Sequence, residues 1–204
     1  LRNLDVLETM PSLAELDLQH NAVTDLGKLS GLDKLVKLNI GFNAVTTLAP
    51  LSSCTRLTWL NADNNQITTL DGVDKLTALT DFSVNNNKIV GVSQLAGLTA
   101  LQNLGIASNS VSDITMLNGL TKLQSFDFSG NQIAELPDWP DGCALTTIDG
   151  SYNALTSIDS LRNMQNLTHV YMDYNQITNI DALQDCYCLV QVNVFGNAIA
   201  DVSA

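Results

Sequence analysis

The chain has 204 residues, 45% of them hydrophobic, with 21 Asp and Glu against 9 Lys and Arg, a formal charge of −12 at pH 7. A chain of this size and apolar content can bury a substantial core, and no apolar run reaches the roughly 20 residues needed to cross a bilayer, so no membrane insertion is expected. The acidity argues against nucleic acid and anionic membrane surfaces, which demand a cationic footprint. It leaves a neutral or basic partner, or an acidity that serves solubility alone.

From residue 13 onward the sequence repeats every 22 residues. Position 1 of the unit holds Leu13, Leu35, Leu57, Leu79, Leu101, Leu123, Leu145, Leu167 and Leu189, and position 9 holds Asn21, Asn43, Asn65, Asn87, Asn109, Asn131, Asn153, Asn175 and Asn197. Self-similarity at a fixed period of this length means a solenoid. Positions 4 and 6 are apolar and straddle one residue, so in a strand they share a face and positions 3, 5 and 7 take the other. The Asn at position 9 lies where the chain leaves the strand; its amide can satisfy turn backbone groups and its neighbour in the next coil. Positions 14, 17 and 20 are spaced by three, which predicts short 3₁₀ turns on the outer side.

In chain order, residues 1–12 fit the trailing half of a coil, with Leu1, Leu4, Leu7 and Met10 on positions 11, 14, 17 and 20. Eight repeats follow over 13–188, and 189–204 is a partial ninth in which Val202 reaches position 14. No linker or composition shift interrupts them, so residues 1–204 read as one domain. Neither end shows a polar cap, and solenoids need caps to shield their terminal cores, so the chain reads as a fragment of a longer protein. Core volume looks compensated between neighbours: Phe82 follows Ala62, and Phe128 precedes Gly150 at the same position 6. Repeat 123–144 departs after Leu136, where Pro137, Asp138, Trp139, Pro140, Asp141 and Gly142 replace the usual outer pattern. Two prolines disfavour a 3₁₀ turn, so this outer segment should be extended, with Trp139 filling position 17.

The pattern Leu-x-x-Leu-x-Leu-x-x-Asn-x-Ile, as in Leu57, Leu60, Ala62, Asn65 and Ile67, resembles the leucine-rich repeat. Its 22-residue form, with Asn65-Gln66-Ile67-Thr68, Asn131-Gln132-Ile133 and Asn175-Gln176-Ile177-Thr178, resembles the internalin family of bacterial surface proteins. The resemblance implies an α/β solenoid, a horseshoe with a parallel β-sheet on the concave face and short 3₁₀ turns or extended segments on the convex face. It also implies cell-surface adhesion and an extracellular location. A leucine-rich regulatory subunit of Ser/Thr protein phosphatases has repeats of the same length, and that resemblance would place the chain in the cytoplasm.

Positions 3, 5, 7 and 8 of successive coils stack side by side in such a sheet, so the inner face can be written out. Aromatics fall at two places, Phe42 with Trp59 early and Tyr152, Tyr171, Tyr174 and Phe195 late, separated by a small polar stretch around Gly105 and Ala107. Seven carboxylates on positions 3, 5 and 7 face a single Lys37. Core packing does not explain these aromatics, and exposed aromatic clusters are the usual anchors of binding hot spots. The plainer alternatives are β-propensity for single aromatics and a solvated face for the acids. The expected partner-binding set is Phe42, Trp59, Asp63, Asp81, Asp127, Asp149, Tyr152, His169, Tyr171, Asp173, Tyr174 and Phe195. Within it Trp59, Tyr152, Tyr171 and Tyr174 are the anchors, and Asp127, Asp149 and Asp173 select basic groups.

Catalytic and metal chemistry find little support. His20 and His169 sit seven coils apart, and Ser151 and His169 are separated by four residues along the strand direction, roughly 13 Å, too far for a hydroxyl and its base. Asp127 and Asp149 are neighbours at roughly 5 Å; an open sheet offers them no pocket, so they read as solvated acids, with calcium a remote alternative. Cys54 and Cys186 lie six coils and roughly 29 Å apart, and Cys143 is two coils from Cys186 and Cys188, beyond reach of a disulfide. Zinc at Cys186 and Cys188 lacks a second ligand pair. The expectation is therefore a non-enzymatic protein-binding module without cofactor, with a structural spacer as the alternative from another class.

Overall fold

The computed structural model describes residues 4–200, so the expected placements of Leu1 and Val202 fall outside it. Nine three-residue strands form one parallel sheet in strict chain order. They are β1 (Glu15–Asp17), β2 (Lys37–Asn39), β3 (Trp59–Asn61), β4 (Asp81–Ser83), β5 (Asn103–Gly105), β6 (Ser125–Asp127), β7 (Thr147–Asp149), β8 (His169–Tyr171) and β9 (Gln191–Asn193). The register equals the sequence repeat: Glu15 lies opposite Lys37, Leu38 opposite Leu60, Asp127 opposite Asp149. The fold is an open leucine-rich repeat solenoid.

On the outer side the expected 3₁₀ turns form at Asp5–Thr9, Gly27–Leu29, Ala49–Ser53, Val73–Lys75, Ser93–Leu95, Thr115–Gly119, Asp159–Leu161 and Asp181–Leu183. Their bonding follows the spacing of three: Leu29 N–H donates to the Leu26 carbonyl at 2.8 Å, Leu32 to Leu29 at 2.9 Å and Leu35 to Leu32 at 3.1 Å. Each leucine of that series is buried. Between sheet and turns runs one continuous apolar column, in which Leu38, Leu57, Leu79, Leu101, Leu123 and Leu167 have no exposed surface.

Repeat 123–144 has no 3₁₀ turn, as its prolines require. Leu136 and Trp139 are buried at their expected positions, and the last inward place is taken by Cys143 instead of Gly142, whose φ of 82° swings the chain by one residue. The volume compensation at position 6 is direct: a Cβ on Gly150 would stand 2.5 Å from Phe128 Cζ and 2.9 Å from Met172 Sδ. The Phe128 ring fills the space that Gly150 leaves open.

The position-9 asparagines form a ladder through the turns. Asn65 Nδ2 donates to the carbonyls of Ile40 at 2.9 Å and of Ala62 and Asp63 at 3.1 Å, while its Oδ1 accepts the Val45 N–H at 2.9 Å. The neighbour served is thus the preceding coil, where the expectation named the next. Ile40 O and Val45 N lie at the turn beyond the strand of their own coil, facing the coil that follows, and its asparagine reaches back to them.

Candidate binding face

The inner face is shaped by a backbone feature that recurs in each coil. Position 8, occupied by His20, Phe42, Asn64, Asn86, Ser108, Gly130, Tyr152, Tyr174 and Gly196, has φ between 53° and 71° throughout. This left-handed conformation turns the chain out of the strand. It suits Gly and Asn and costs a bulky side chain on the order of 1 kcal/mol. Asn64, Asn86, Gly130 and Gly196 at this position are the sequence signal for it. Phe42, Tyr152 and Tyr174 hold the same conformation against that preference.

Position 7 carries a second recurrent need. Sheet bonding takes the amides of positions 6 and 8, as where Ile40 N–H donates to the Asn61 carbonyl and Phe42 N–H to the Asp63 carbonyl. The amide between them needs a side-chain acceptor. Position 5 of the same coil supplies it to Gln19, Gly41, Asp63, Ser129 and Ser151, through an oxygen of Asp17, Asn39, Asn61, Asp127 and Asp149. Elsewhere position 7 of the preceding coil supplies it: Asp63 to Asn85, Asn85 to Ala107, Ser151 to Asp173 and Asp173 to Phe195. All nine coils are served, so many of the Asp and Asn residues on this face cap strand ends as well as facing solvent. Sequence reading treated these acids as solvated or partner-selecting. The alternation of Asp, Asn and Ser between positions 5 and 7 was the signal for their structural role.

The remaining acids and the aromatics divide into groups. Asp81 accepts from the Thr80 hydroxyl and the Asn103 amide, both at 2.7 Å. Lys37 pairs with Glu15 at 3.4 Å, an exposed contact of small worth. Asp149 has its carboxyl pushed above the ordinary range, first by burial and further by the charges of Asp127 and Asp173, against the lowering effect of its bonds to Ser151. Phe42 does not join Trp59. It stacks on His20 with centroids 4.2 Å apart, while Trp59 lines a cavity of about 440 Å³ with Glu15, Lys37, Asp17 and Asn39. Positions 8 and 3 lie at opposite ends of the strand, which separates the two rings; His20 was not in the expected set.

The late aromatics likewise form two groups. Tyr152 and Tyr174 stack at 4.5 Å with ring planes 18° apart, and Phe195 meets Tyr174 edge-on at 5.3 Å. Gly196 makes room for this, since a Cβ there would stand 2.8 Å from Tyr174. His169 and Tyr171 lie 6.2 Å apart along β8, His169 Nδ1 bonded to the Thr168 hydroxyl and the Tyr171 hydroxyl donating to Gln191.

A two-copy leucine-rich repeat model matches residues 11–53 and 55–98, and a single leucine-rich repeat model matches residues 122–143. The chain is a leucine-rich repeat protein. It resembles the internalins: it superposes on an internalin (inlF) from Listeria monocytogenes at a TM-score of 0.89 and 26% identity, covering 96% of this chain and 58% of that one. An internalin C2 of the same organism gives 0.83 and 27% over 90% of this chain and 82% of that one. The functional domain of InlJ, also from Listeria monocytogenes, gives 0.86 and 30% over 96% and 42%. This leucine-rich repeat chain thus spans little more than half of inlF. No curated protein matches it.

In this leucine-rich repeat setting Ser151 is buried and accepts the Asp173 amide, so neither it nor His169 is directed at the other. Asp127 and Asp149 pair in register, and among the described residues no group of three or more His, Cys, Asp or Glu is placed to hold a metal ion. The cysteines are unpaired thiols: Cys54 and Cys186 sit buried with Sγ against the carbonyls of Leu29 and Leu161, Cys143 is buried and Cys188 exposed. Burial raises the pKa of each of the three inner thiols. Among the described residues no helix is long and apolar enough to cross a membrane.

Proposed function

We propose that the chain binds a protein partner on its concave face and that it acts in recognition or adhesion at a bacterial surface, as its resemblance to internalins suggests. The observation that carries this reading is the exposure of Phe42, Tyr152 and Tyr174, held on the inner face in a backbone conformation that disfavours them. Aromatics kept at such a cost outside the core are the usual anchors of an interface. Trp59 beside its cavity and Tyr171 on β8 complete the anchors, and Asp127, Asp149 and Asp173, each with one oxygen committed to a backbone amide, offer the other to basic groups of the partner. His169, Asp63, Asp81 and Phe195 line the same face.

The test is capture from host-cell surface proteins and, in parallel, from cytosol of the source cell, comparing the parent with a Trp59→Ala/Tyr171→Ala variant of equal thermal stability. A surface protein retained by the parent and lost by the variant is the expected result. A cytosolic partner with the same dependence would replace adhesion by an intracellular scaffold, and retention indifferent to both substitutions would remove the binding site from this face.

A further inference from the structure

The aromatic stack on the late half of the inner face is unfinished on one side. Tyr174 covers one face of Tyr152, and on the other side the next position 8 belongs to Gly130, which has no side chain. Beyond it stands Ser108, the nearest neighbour that a Cβ on Gly130 would meet, at 3.4 Å. Adjacent coils are about 4.8 Å apart, so a notch two coils wide lies between Ser108 and the free face of Tyr152, and Tyr152 is 59% exposed. One planar group laid over Gly130 would continue the Tyr152–Tyr174 stack at its own spacing.

The strand side of the notch is acidic, with carboxylates at position 5. Asp127, on the coil of Gly130, pairs in register with Asp149, on the coil of Tyr152, and each directs one oxygen to an amide at position 7, Ser129 and Ser151 respectively, with the other oxygen left for a ligand. Lys37, the single Lys or Arg on the strand positions of this face, lies four coils away and is paired with Glu15. A planar group that is also cationic and rich in N–H donors satisfies both the ring and the carboxylates, and a guanidinium combines those properties. We propose that the notch over Gly130 seats an arginine side chain of the protein partner, stacked on Tyr152 and hydrogen-bonded to Asp127 and Asp149. This deepens the proposed binding face and rests on it.

The test is an NMR titration of the whole chain with N-acetyl-arginine methylamide, alongside its citrulline counterpart, planar but uncharged, and its lysine counterpart, charged but not planar. Arginine should shift the Gly130 amide and the Tyr152 ring signals, with citrulline and lysine binding about tenfold more weakly. Gly130→Tyr should abolish the response by filling the notch from within; Tyr152 and Tyr174 already hold a tyrosine in that backbone conformation, so the variant can fold. Tyr152→Leu, which removes the stacking face and leaves Gly130 untouched, should weaken it equally. Equal responses to the three compounds, shifts that bypass Gly130, or a response that survives both substitutions would overturn the assignment. Absence of any arginine response, with partner capture still dependent on Trp59 and Tyr171, would remove the notch and leave the binding face standing. An arginine response in a chain that captures nothing would support the notch and count against the wider reading.

Discussion

Asn65 is 8% exposed and satisfies three carbonyls and one amide drawn from two coils. Asn65→Ala leaves the Val45 N–H without its acceptor and takes one bond from each of three carbonyls that keep another donor, Asn43 for Ile40, Asn87 for Ala62 and Phe42 N–H for Asp63. The loss should therefore be about 1–3 kcal/mol in chemical denaturation. A loss under about 0.5 kcal/mol would mean that the turns close without the ladder. Asp149 gives a pH signature of opposite sense to most carboxylates. Its folded pKa is raised above the ordinary 3.8, mainly by burial, so the native state holds that proton more tightly than the unfolded chain. Its contribution to stability is full below the ordinary value and is lost as pH rises through the raised one. Asp149→Asn keeps an oxygen for the Ser151 amide, as Asn39 and Asn61 do for Gly41 and Asp63. The variant should therefore match the parent near about pH 3 and exceed it in stability near about pH 7; an advantage that grows toward acid would contradict the assigned cause.

At the scale of one element, the segment after Leu136 shows how a coil closes without a 3₁₀ turn. Trp139 spans the depth that a leucine and its turn fill elsewhere, edge-on to Phe126 at 6.4 Å, and its indole Nε1 is buried without a hydrogen-bond partner. Trp139→Ala should cost about 3–5 kcal/mol through the cavity it opens. Trp139→Phe loses some volume but also removes the unpaired N–H, whose burial costs roughly 1–3 kcal/mol, so it should stay within about 1 kcal/mol of the parent. Equal losses for the two variants in thermal or chemical denaturation would show that the N–H is satisfied, for instance by an aromatic face. The prolines and the outward side of this segment were legible from sequence. The inward step to Cys143 was not, because it depends on a positive φ at Gly142 that composition alone does not announce.

Across the whole molecule, the repeat makes each coil a spacer of fixed height and each inner position a column, so the face is an acidic strip with aromatic groups at set places. Its seven carboxylates on positions 3, 5 and 7 stand against one paired lysine, and a basic partner should be steered by that field. Association measured by stopped flow should slow by on the order of tenfold between about 10 and 150 mM salt, with dissociation changing less. A rate indifferent to salt would assign the acids wholly to their work at the position-7 amides.

The 22-residue period by itself determined the parallel sheet, its register, the outer turns and the columns of the inner face, because a solenoid translates sequence distance directly into spatial distance. Even the exceptions at repeat 123–144 and at Phe128 and Gly150 could be read, since each breaks a pattern set by its neighbours. Only the tertiary structure decided how the side chains on that face use one another. It showed the position-7 amides that recruit Asp and Asn, the left-handed backbone beneath Phe42, Tyr152 and Tyr174, the pairing of Phe42 with His20 in place of Trp59, and the gap over Gly130. The period assigns each residue a coordinate, whereas these features depend on φ angles and on side-chain directions within a coil, which hydrophobic periodicity does not encode.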